Sequence, residues 1–432
     1  MVFRKLNTLK RSSLAQNALA LTALQASGNL ATLISLPYLT RTMGPSAWGE
    51  VAWIQVILGY LVIVVDMGLS WHGTSQISKL RNDRGSLSRA FKSGWILQIL
   101  CAILVGFLFY LSVINGLFGD VPDAYGWWGA TYLVSVVLFP GWLPGGLERL
   151  KEVAVVQFFV RCLSLPLILI LVKSSTDGPL VIASLAVSGL CGGAFGVLWL
   201  IRKVDIDWAV SSRSDLWSQL EAGAHVVVSR LIAVLYSSMI PMLLGVLVGM
   251  SAVGLYMVSD RLRAAVLSLI NPVGQALLPR LSYLYETDKL SAAFLFKRIL
   301  IGMSLLCGGF GLVQLIFAQE IAIIVGGKAF EGAFLVLMIT ASVPLFNCLN
   351  NLLLIQFLLP RGLMGISNKF TFIVAICGGV GGYYAIAAFG LVGAATVAVL
   401  CEFIIFALNG ALVLKYWDLV FGREAFIEGL ES

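Results

Sequence analysis

The chain has 432 residues, of which 59% are hydrophobic and only 12% are charged. A soluble domain carries about 25% charged residues, so a soluble enzyme, a disordered protein and a nucleic-acid-binding protein are all excluded. Because hydrophobic runs of about 20 residues cross a bilayer as helices, the composition predicts an all-α polytopic membrane protein, and the net charge of +7 is read as the basic bias of cytoplasmic loops.

Hydrophobic runs separated by polar breaks predict twelve membrane-spanning helices along the chain. They lie at about 14–39, 48–70, 93–115, 127–147, 153–173, 180–201, 221–247, 252–278, 299–318, 333–359, 370–389 and 391–413. With the N-terminus in the cytoplasm, 22 of the 29 Lys and Arg residues fall in cytoplasmic segments, and only Arg41, Lys173 and Lys328 fall outside. This asymmetry predicts that both termini are cytoplasmic.

Two of the cytoplasmic connections mix apolar and basic residues at helical spacing. They are residues 72–84 and 279–298. We expect each to form an amphipathic helix that lies on anionic headgroups, although a binding site is the alternative.

A short internal repeat divides the chain into two halves. Gly44-Pro-Ser-Ala-Trp-Gly49 returns as Gly249-Met-Ser-Ala-Val-Gly254, each time at the outer turn between the first two helices of a half. The predicted domains are a six-helix half at 1–201, a cytoplasmic linker at 202–220, and a second six-helix half with a short cytoplasmic tail at 221–432. Two parallel six-helix repeats around a central cleft are typical of transporters.

Four arginines and two carboxylates fall within predicted spans, where a charge must face protein or water. The charged groups are Arg161, Arg230, Arg261, Arg263, Asp260 and Glu402. Their net positive charge favours an anionic substrate such as a phosphate, and the arginines are the predicted substrate ligands. The alternative is that the arginines pair with the carboxylates to hold helices together. Asp260 and Arg263 share a helix face and are expected to neutralise each other.

Uncharged polar residues add weaker candidates. Asn17, Gln25 and Asn29 share one face of the first predicted helix, and Gln55 lies on the second. Asn29 and Gln55 are predicted to contact the sugars of a substrate, with hydrogen bonding between helices as the alternative. The seven cysteines form no CxxC pair, so neither a disulfide framework nor a metal cluster is indicated. No cofactor is expected, and the sequence shows no catalytic grouping.

Several motifs carry a family resemblance. Residues 36–49 (LPYLTRTMGPSAWG), followed by Asp66-Met-Gly-Leu69 and a basic loop, are similar to the start of the Wzx-like polysaccharide-unit flippases. In the second half, Val253-Gly-Leu-Tyr256 with Asp260-Arg261, and Asn271-Pro272, resemble segments of the same family. Asp66-Met-Gly68 corresponds to an Asp-Phe-Gly turn in that family, which commonly has an arginine shortly after the turn. This chain has Ser75 there.

The resemblance implies a twelve-helix fold of the superfamily that includes multidrug exporters and the lipid II flippase. It also implies translocation of undecaprenyl-diphosphate-linked oligosaccharides across a bacterial inner membrane. Asp260 and Glu402 are then candidates for proton or sodium coupling. The expected partners are the lipid-linked glycan and the bilayer, with the polymerase and chain-length proteins of the pathway as further candidates, and no nucleic acid.

Two alternatives remain open at this stage. A multidrug exporter of the same fold would prefer an acidic cavity, because it expels cations. A membrane polysaccharide polymerase or glycosyltransferase would need catalytic side chains on sizeable outer loops. The only charged residues of the longest predicted outer loop are Glu320, Lys328 and Glu331. The chain is therefore predicted not to be an enzyme.

Overall fold

The computed structural model describes residues 2–204 and 213–421. Side chains are described from residue 34 onwards, except for 150, 201, 213–214, 229, 232–233, 235–237, 269–276, 279 and 418–421. The described residues form α-helices with short connections and no strand. The all-α prediction is therefore confirmed. The chain divides into two compact units, Met1–Val234 and Leu235–Ser432.

Within the described residues, the first unit contains seven α-helices and the start of an eighth. They are α1 (Val2–Asp66), α2 (His72–Leu80), α3 (Arg84–Ile114), α4 (Ala124–Leu138), α5 (Trp142–Gly146), α6 (Leu150–Leu171), α7 (Gly178–Lys203) and the beginning of α8 (Arg213–Leu247). The short helix α2 confirms that part of residues 72–84 is helical, and its buried Ile77 packs in an apolar cluster with Phe91, Trp142 and Leu143.

The second unit contains the end of α8 and the remaining helices. They are α9 (Met250–Thr287), α10 (Lys289–Ile316), α11 (Ala318–Gly326), α12 (Ala333–Ile339), α13 (Val343–Leu352) and α14 (Met364–Phe421). A π-helical segment, Leu353–Leu358, continues directly from α13. The predicted outer loop near 319–332 is largely helical, because α11 occupies its first part.

Seven helical segments within the described residues are long and apolar enough to cross a membrane. They are Ile34–Asp66, Arg84–Ile114, Lys151–Leu171, Ser175–Leu200, Lys289–Ile316, Ala333–Leu358 and Met364–Trp417. The protein is thus a multi-pass membrane protein. Met364–Trp417 has 54 residues and bends at Gly390, so it covers the last two predicted spans.

The two copies of the sequence repeat share a backbone conformation. Gly44 has φ 76° and ψ 175°, where α1 is kinked, and Gly249 has φ 115° and ψ 173° just before α9. Positive φ is costly for residues that carry a Cβ. A Cβ would meet no atom within 4 Å at either position. Backbone conformation, rather than space, therefore explains why both repeats begin with glycine.

Two predicted elements differ from the structure for local reasons. The predicted span 127–147 ends early at Leu138, since Phe139 is extended ahead of Pro140 and α5 begins afterwards. The predicted amphipathic helix at 279–298 is wrong as a separate element. Asp288 divides this segment between α9 and α10, because its side chain accepts a hydrogen bond from the backbone N–H of Ser291 at 3.0 Å and caps α10.

Candidate functional site

A cavity of about 260 Å³ with both polar and apolar lining residues lies in the second unit. Its wall comes from α8, α9, α10, α13, α14 and the turn between α12 and α13. The lining residues are Met239, Ile240, Tyr256, Ser259, Asp260, Arg263, Gln314, Thr340, Val343, Pro344, Asn347, Ala398, Cys401 and Glu402. Three of the predicted site residues, Asp260, Arg263 and Glu402, are thus brought into one cavity.

Asp260 and Arg263 form the expected ion pair on α9. Both Nη2 and Nε of Arg263 donate to Oδ1 of Asp260, at 2.6 and 3.2 Å. The two side chains are 23% and 24% exposed, so the pair is partly shielded from solvent. Arg263 therefore enters the cavity with much of its charge already balanced by its neighbour one turn away.

Glu402 brings a second carboxylate to the same cavity from α14. Asn347 of α13 donates its amide N–H to Oε1 of Glu402 at 2.9 Å, and Glu402 is 9% exposed. Arg263 also interacts electrostatically with Glu402. With both carboxylates ionised, the lining carries two negative charges and one positive charge. One proton or one monovalent cation would restore neutrality.

Hydrogen-bonded polar side chains complete the wall. Thr340 donates its hydroxyl proton to the carbonyl of Val336 at 2.6 Å, so the O–H of Ser259 is the donor in the 2.6 Å contact between the two hydroxyls. Gln314 donates to the carbonyl of Leu337 at 2.9 Å. These bonds join α9, α10 and α12 around the cavity and fix its shape.

Arg230 belongs to a different arrangement, in the first unit. Its Nη1 donates to Oδ2 of Asp66 at 2.5 Å, and Ser70 donates to Oδ1 of the same carboxylate. Asp66 is the last residue of α1. The ion pair therefore places Arg230 at the level of that helix end and joins α1 to α8.

The turn after Asp66 is built for close contact with α8. Met67 and Gly68 both have positive φ, at 51° and 68°. A Cβ on Gly68 would lie 2.7 Å from Cβ of Val226, and a Cβ on Gly223 would overlap the carbonyl oxygen of Met67. The turn and α8 thus approach each other through glycines on both sides, which sets the distance over which Asp66 and Arg230 meet.

The other predicted residues lie apart from the cavity. Arg161 is partly buried on α6 and Gln55 is partly buried on α1, both in the first unit. Arg261 follows Asp260 on α9 but does not belong to the cavity wall. The side chains of Asn17, Gln25, Asn29, Asn271 and Pro272 lie outside the described residues. The substrate-binding roles given to Arg161, Arg261, Asn29 and Gln55 stay predictions.

Sequence reasoning missed several residues of the cavity wall. Tyr256, Ser259, Asp260 and Arg263 follow a helical stripe at i, i+3, i+4 and i+7, and this signal was available in the sequence. Gln314 and Thr340 gave no comparable signal, because each is an isolated polar residue within an apolar run. Only the folded chain places them beside α9.

Comparison with known families identifies the chain. The sequence profile of the family described as "Polysaccharide biosynthesis protein" matches residues 14–285, well over half of the sequence. The chain belongs to this family. The predicted resemblance to polysaccharide-unit flippases is thereby confirmed at the level of the family.

Curated relatives of this family member carry transporter names. A protein of Escherichia coli named "Putative O-antigen transporter" is 27% identical over 361 residues, which cover 82% of this chain and 86% of the relative. A protein of the same name from Shigella dysenteriae is 25% identical over 303 residues, which cover 68% of this chain and 74% of the relative.

Solved transporter structures share the fold. A multidrug resistance MATE family transporter of the MOP superfamily, in an inward-facing conformation, matches with a TM-score of 0.69 and 13% identity over 91% of this chain and 98% of its own. A MOP superfamily transporter from Pyrococcus furiosus, described as having a binding pocket of reverse polarity, matches with a TM-score of 0.58 and 14% identity over 93% and 95%. At these identities the likeness concerns the fold alone.

Proposed function

We propose that this protein is a flippase for surface polysaccharide biosynthesis. It moves undecaprenyl-diphosphate-linked oligosaccharides from the cytoplasmic to the periplasmic leaflet of a bacterial inner membrane by alternating access, with both termini in the cytoplasm. It acts as a transporter and not as an enzyme. The observation that carries the proposal is the match over 82% of the chain to the relative named "Putative O-antigen transporter". A cavity with ionisable lining residues in an apolar helical unit supports it.

Arginines are the proposed ligands of the diphosphate. A guanidinium keeps its charge at any relevant pH and offers a planar fork of donors that fits phosphate oxygens. Arg230 is the strongest candidate, since about a third of its side chain is exposed beside Asp66. An arriving phosphate would compete with Asp66 for the Nη1 donor. Arg161, Arg261 and Arg263 are retained as secondary candidates, and Asn29 and Gln55 as sugar contacts.

The cavity of the second unit is the proposed coupling site. Its lining carries Asp260 and Glu402 against the single cation Arg263, so its charge is balanced when it takes up one proton or one sodium ion. Binding and release of that ion in the two conformations would couple transport to an ion gradient. Apart from Arg263, which lines the cavity and is also a secondary substrate candidate, this assigns the anionic substrate and the coupling cation to different residues.

A multidrug exporter is the second candidate function, and one observation favours it. The cavity lining is net acidic when both carboxylates are ionised, which suits an organic cation, and the MATE likeness shows that the fold also serves multidrug transporters. The two functions differ in their cargo. They are distinguished by offering cells a cationic dye and by measuring surface polysaccharide in the same strain.

The experiment is complementation of a bacterial strain that lacks its own O-antigen transporter. We expect the wild-type chain to restore surface polysaccharide and to leave the efflux rate of ethidium unchanged. Arg230→Gln should lower the surface polysaccharide at equal protein level, while Lys79→Gln, an exposed basic residue of the same unit, should not. Ethidium efflux without restored polysaccharide would reject the flippase and support the exporter.

A further inference from the structure

Arg361 occupies an unusual position at one end of the second unit. It lies just after the π-helical segment Leu353–Leu358, in the connection to α14. Its guanidinium lies over the ring of Tyr285, 4.7 Å from the ring centroid. The Tyr285 hydroxyl donates to the carbonyl of Gln356 at 2.7 Å, so the ring is held in place by both packing and a hydrogen bond.

One edge of the Arg361 guanidinium has no acceptor. Nε and Nη2 are both buried, and neither donates a hydrogen bond to any residue in the part of the chain that the structure describes. The remaining nitrogen, Nη1, lies 4.0 Å from Oε1 of Glu286, whose side chain is 80% exposed. Buried polar groups in folded proteins are nearly always hydrogen-bonded, so a donor pair without an acceptor requires an explanation.

The geometry of this edge specifies which acceptors fit it. Nε–H and Nη2–H point in parallel along one side of the guanidinium, and this arrangement matches two oxygens of one phosphate or carboxylate. The composition of the two segments that carry Tyr285 and Arg361 also favours an anion, since residues 279–298 and 360–369 together hold six basic residues, Arg361 among them, and two acidic ones. Basic pockets of this kind at the cytoplasmic ends of helices bind lipid phosphates.

We propose that Arg361, supported by the Tyr285 ring, forms a phosphate-binding site at the end of the second unit that the proposed topology places in the cytoplasm. Binding requires the Arg361 torsions to change so that this edge faces the exposed side of the residue, whose side chain is 26% exposed. The phosphate belongs either to an anionic phospholipid headgroup or to a polyprenyl diphosphate. The second source alone rests on the proposed flippase function.

The test is binding to the full chain in phosphatidylcholine nanodiscs. Two probes are titrated separately, short-chain phosphatidylglycerol and polyprenyl diphosphate, and their dissociation constants are measured. Arg361→Gln should weaken binding of at least one probe by about tenfold or more, as expected for loss of a charge-assisted bidentate contact. Arg361→Lys keeps the positive charge but lacks the planar fork of donors, and it should weaken probe binding by a similar factor. Arg280→Gln removes one exposed basic residue from the same segments and should change either constant by less than about twofold.

Each outcome of the two titrations either supports or overturns the site at Arg361. A loss confined to phosphatidylglycerol supports the site as a lipid contact, and a loss confined to polyprenyl diphosphate supports it as a substrate contact. Equal binding of both probes by wild type and Arg361→Gln overturns the site, and so does full rescue by Arg361→Lys, because the fork would then be irrelevant. Failure of complementation by the wild-type chain would reject the flippase function while leaving the phospholipid result intact.

Discussion

The ion pair between Asp66 and Arg230 can be tested by measuring how strongly the two side chains contribute together to stability. Asp66 ends α1 and Arg230 lies on α8, so the pair joins two helices that are far apart in sequence. We consider Asp66→Asn, Arg230→Gln and the double substitution. Each single substitution leaves one charge without its partner in a partly buried site, whereas the double substitution removes both charges together.

The expected coupling free energy follows from the charges and the exposure of the two side chains. A hydrogen bond between charged groups contributes about 1.5–3 kcal/mol to stability. Because 34% of the Arg230 side chain is exposed and only 12% of Asp66, solvent screening reduces this to a coupling free energy of about 1–2 kcal/mol. For a unit of this size, each kcal/mol lowers Tm by about 2–4 °C. We therefore expect each single substitution to lower Tm by roughly 2–8 °C.

The measurement is a double-mutant cycle by thermal unfolding of the purified protein in detergent. The double substitution should be less destabilising than the sum of the two single ones, by the coupling free energy. Lys79→Gln serves as the matched control and should leave Tm unchanged, because Lys79 is exposed. Strict additivity, with a coupling below about 0.3 kcal/mol, would refute the reasoning that this ion pair holds α1 to α8.

Three further predictions concern the repeat, the turn and the cavity. Gly44→Ala should destabilise the protein by about 1–3 kcal/mol because of its positive φ, whereas Gly302→Ala, in an open helical position, should be neutral or stabilising in the same thermal assay. Gly223→Ala should lower Tm by several degrees because its Cβ overlaps the carbonyl of Met67; an unchanged Tm would show that α8 does not pack as described. Glu402→Gln should slow transport in vesicles by about tenfold or more at unchanged protein level and abolish its response to an imposed ion gradient; a wild-type response would exclude Glu402 from coupling.

Much of the fold was accessible from the sequence because bilayers impose simple rules. Long apolar runs gave the helices, and the offset repeat gave the two glycines that share a positive φ. Positions where a local interaction decides the structure were less accessible. Residues 279–298 are divided between α9 and α10 because the carboxylate of Asp288 caps α10. Hydropathy along the sequence contains no information about such a cap.

The candidate site was predicted in part. The i, i+3 spacing correctly predicted the pair of Asp260 and Arg263. The partner of Arg230 was not predicted, since Asp66 lies 164 residues away and only tertiary packing joins them. The charges within all predicted spans sum to a positive value, but this sum does not describe the individual sites, because tertiary packing decides which charges meet. Asp66 pairs with Arg230 and Asp260 pairs with Arg263, and the cavity lining holds one carboxylate more than it holds arginines.

The central claim is that this chain moves a lipid-linked oligosaccharide across the bilayer. The most direct measurement uses the purified protein in proteoliposomes that contain a fluorescent polyprenyl-diphosphate oligosaccharide, with a membrane-impermeant quencher added outside and an ion gradient imposed. We expect quenching to become complete in liposomes with the wild-type chain and to stop at the outer-leaflet fraction with Arg230→Gln. Equal quenching in empty liposomes and in liposomes with the wild-type chain would contradict the claim.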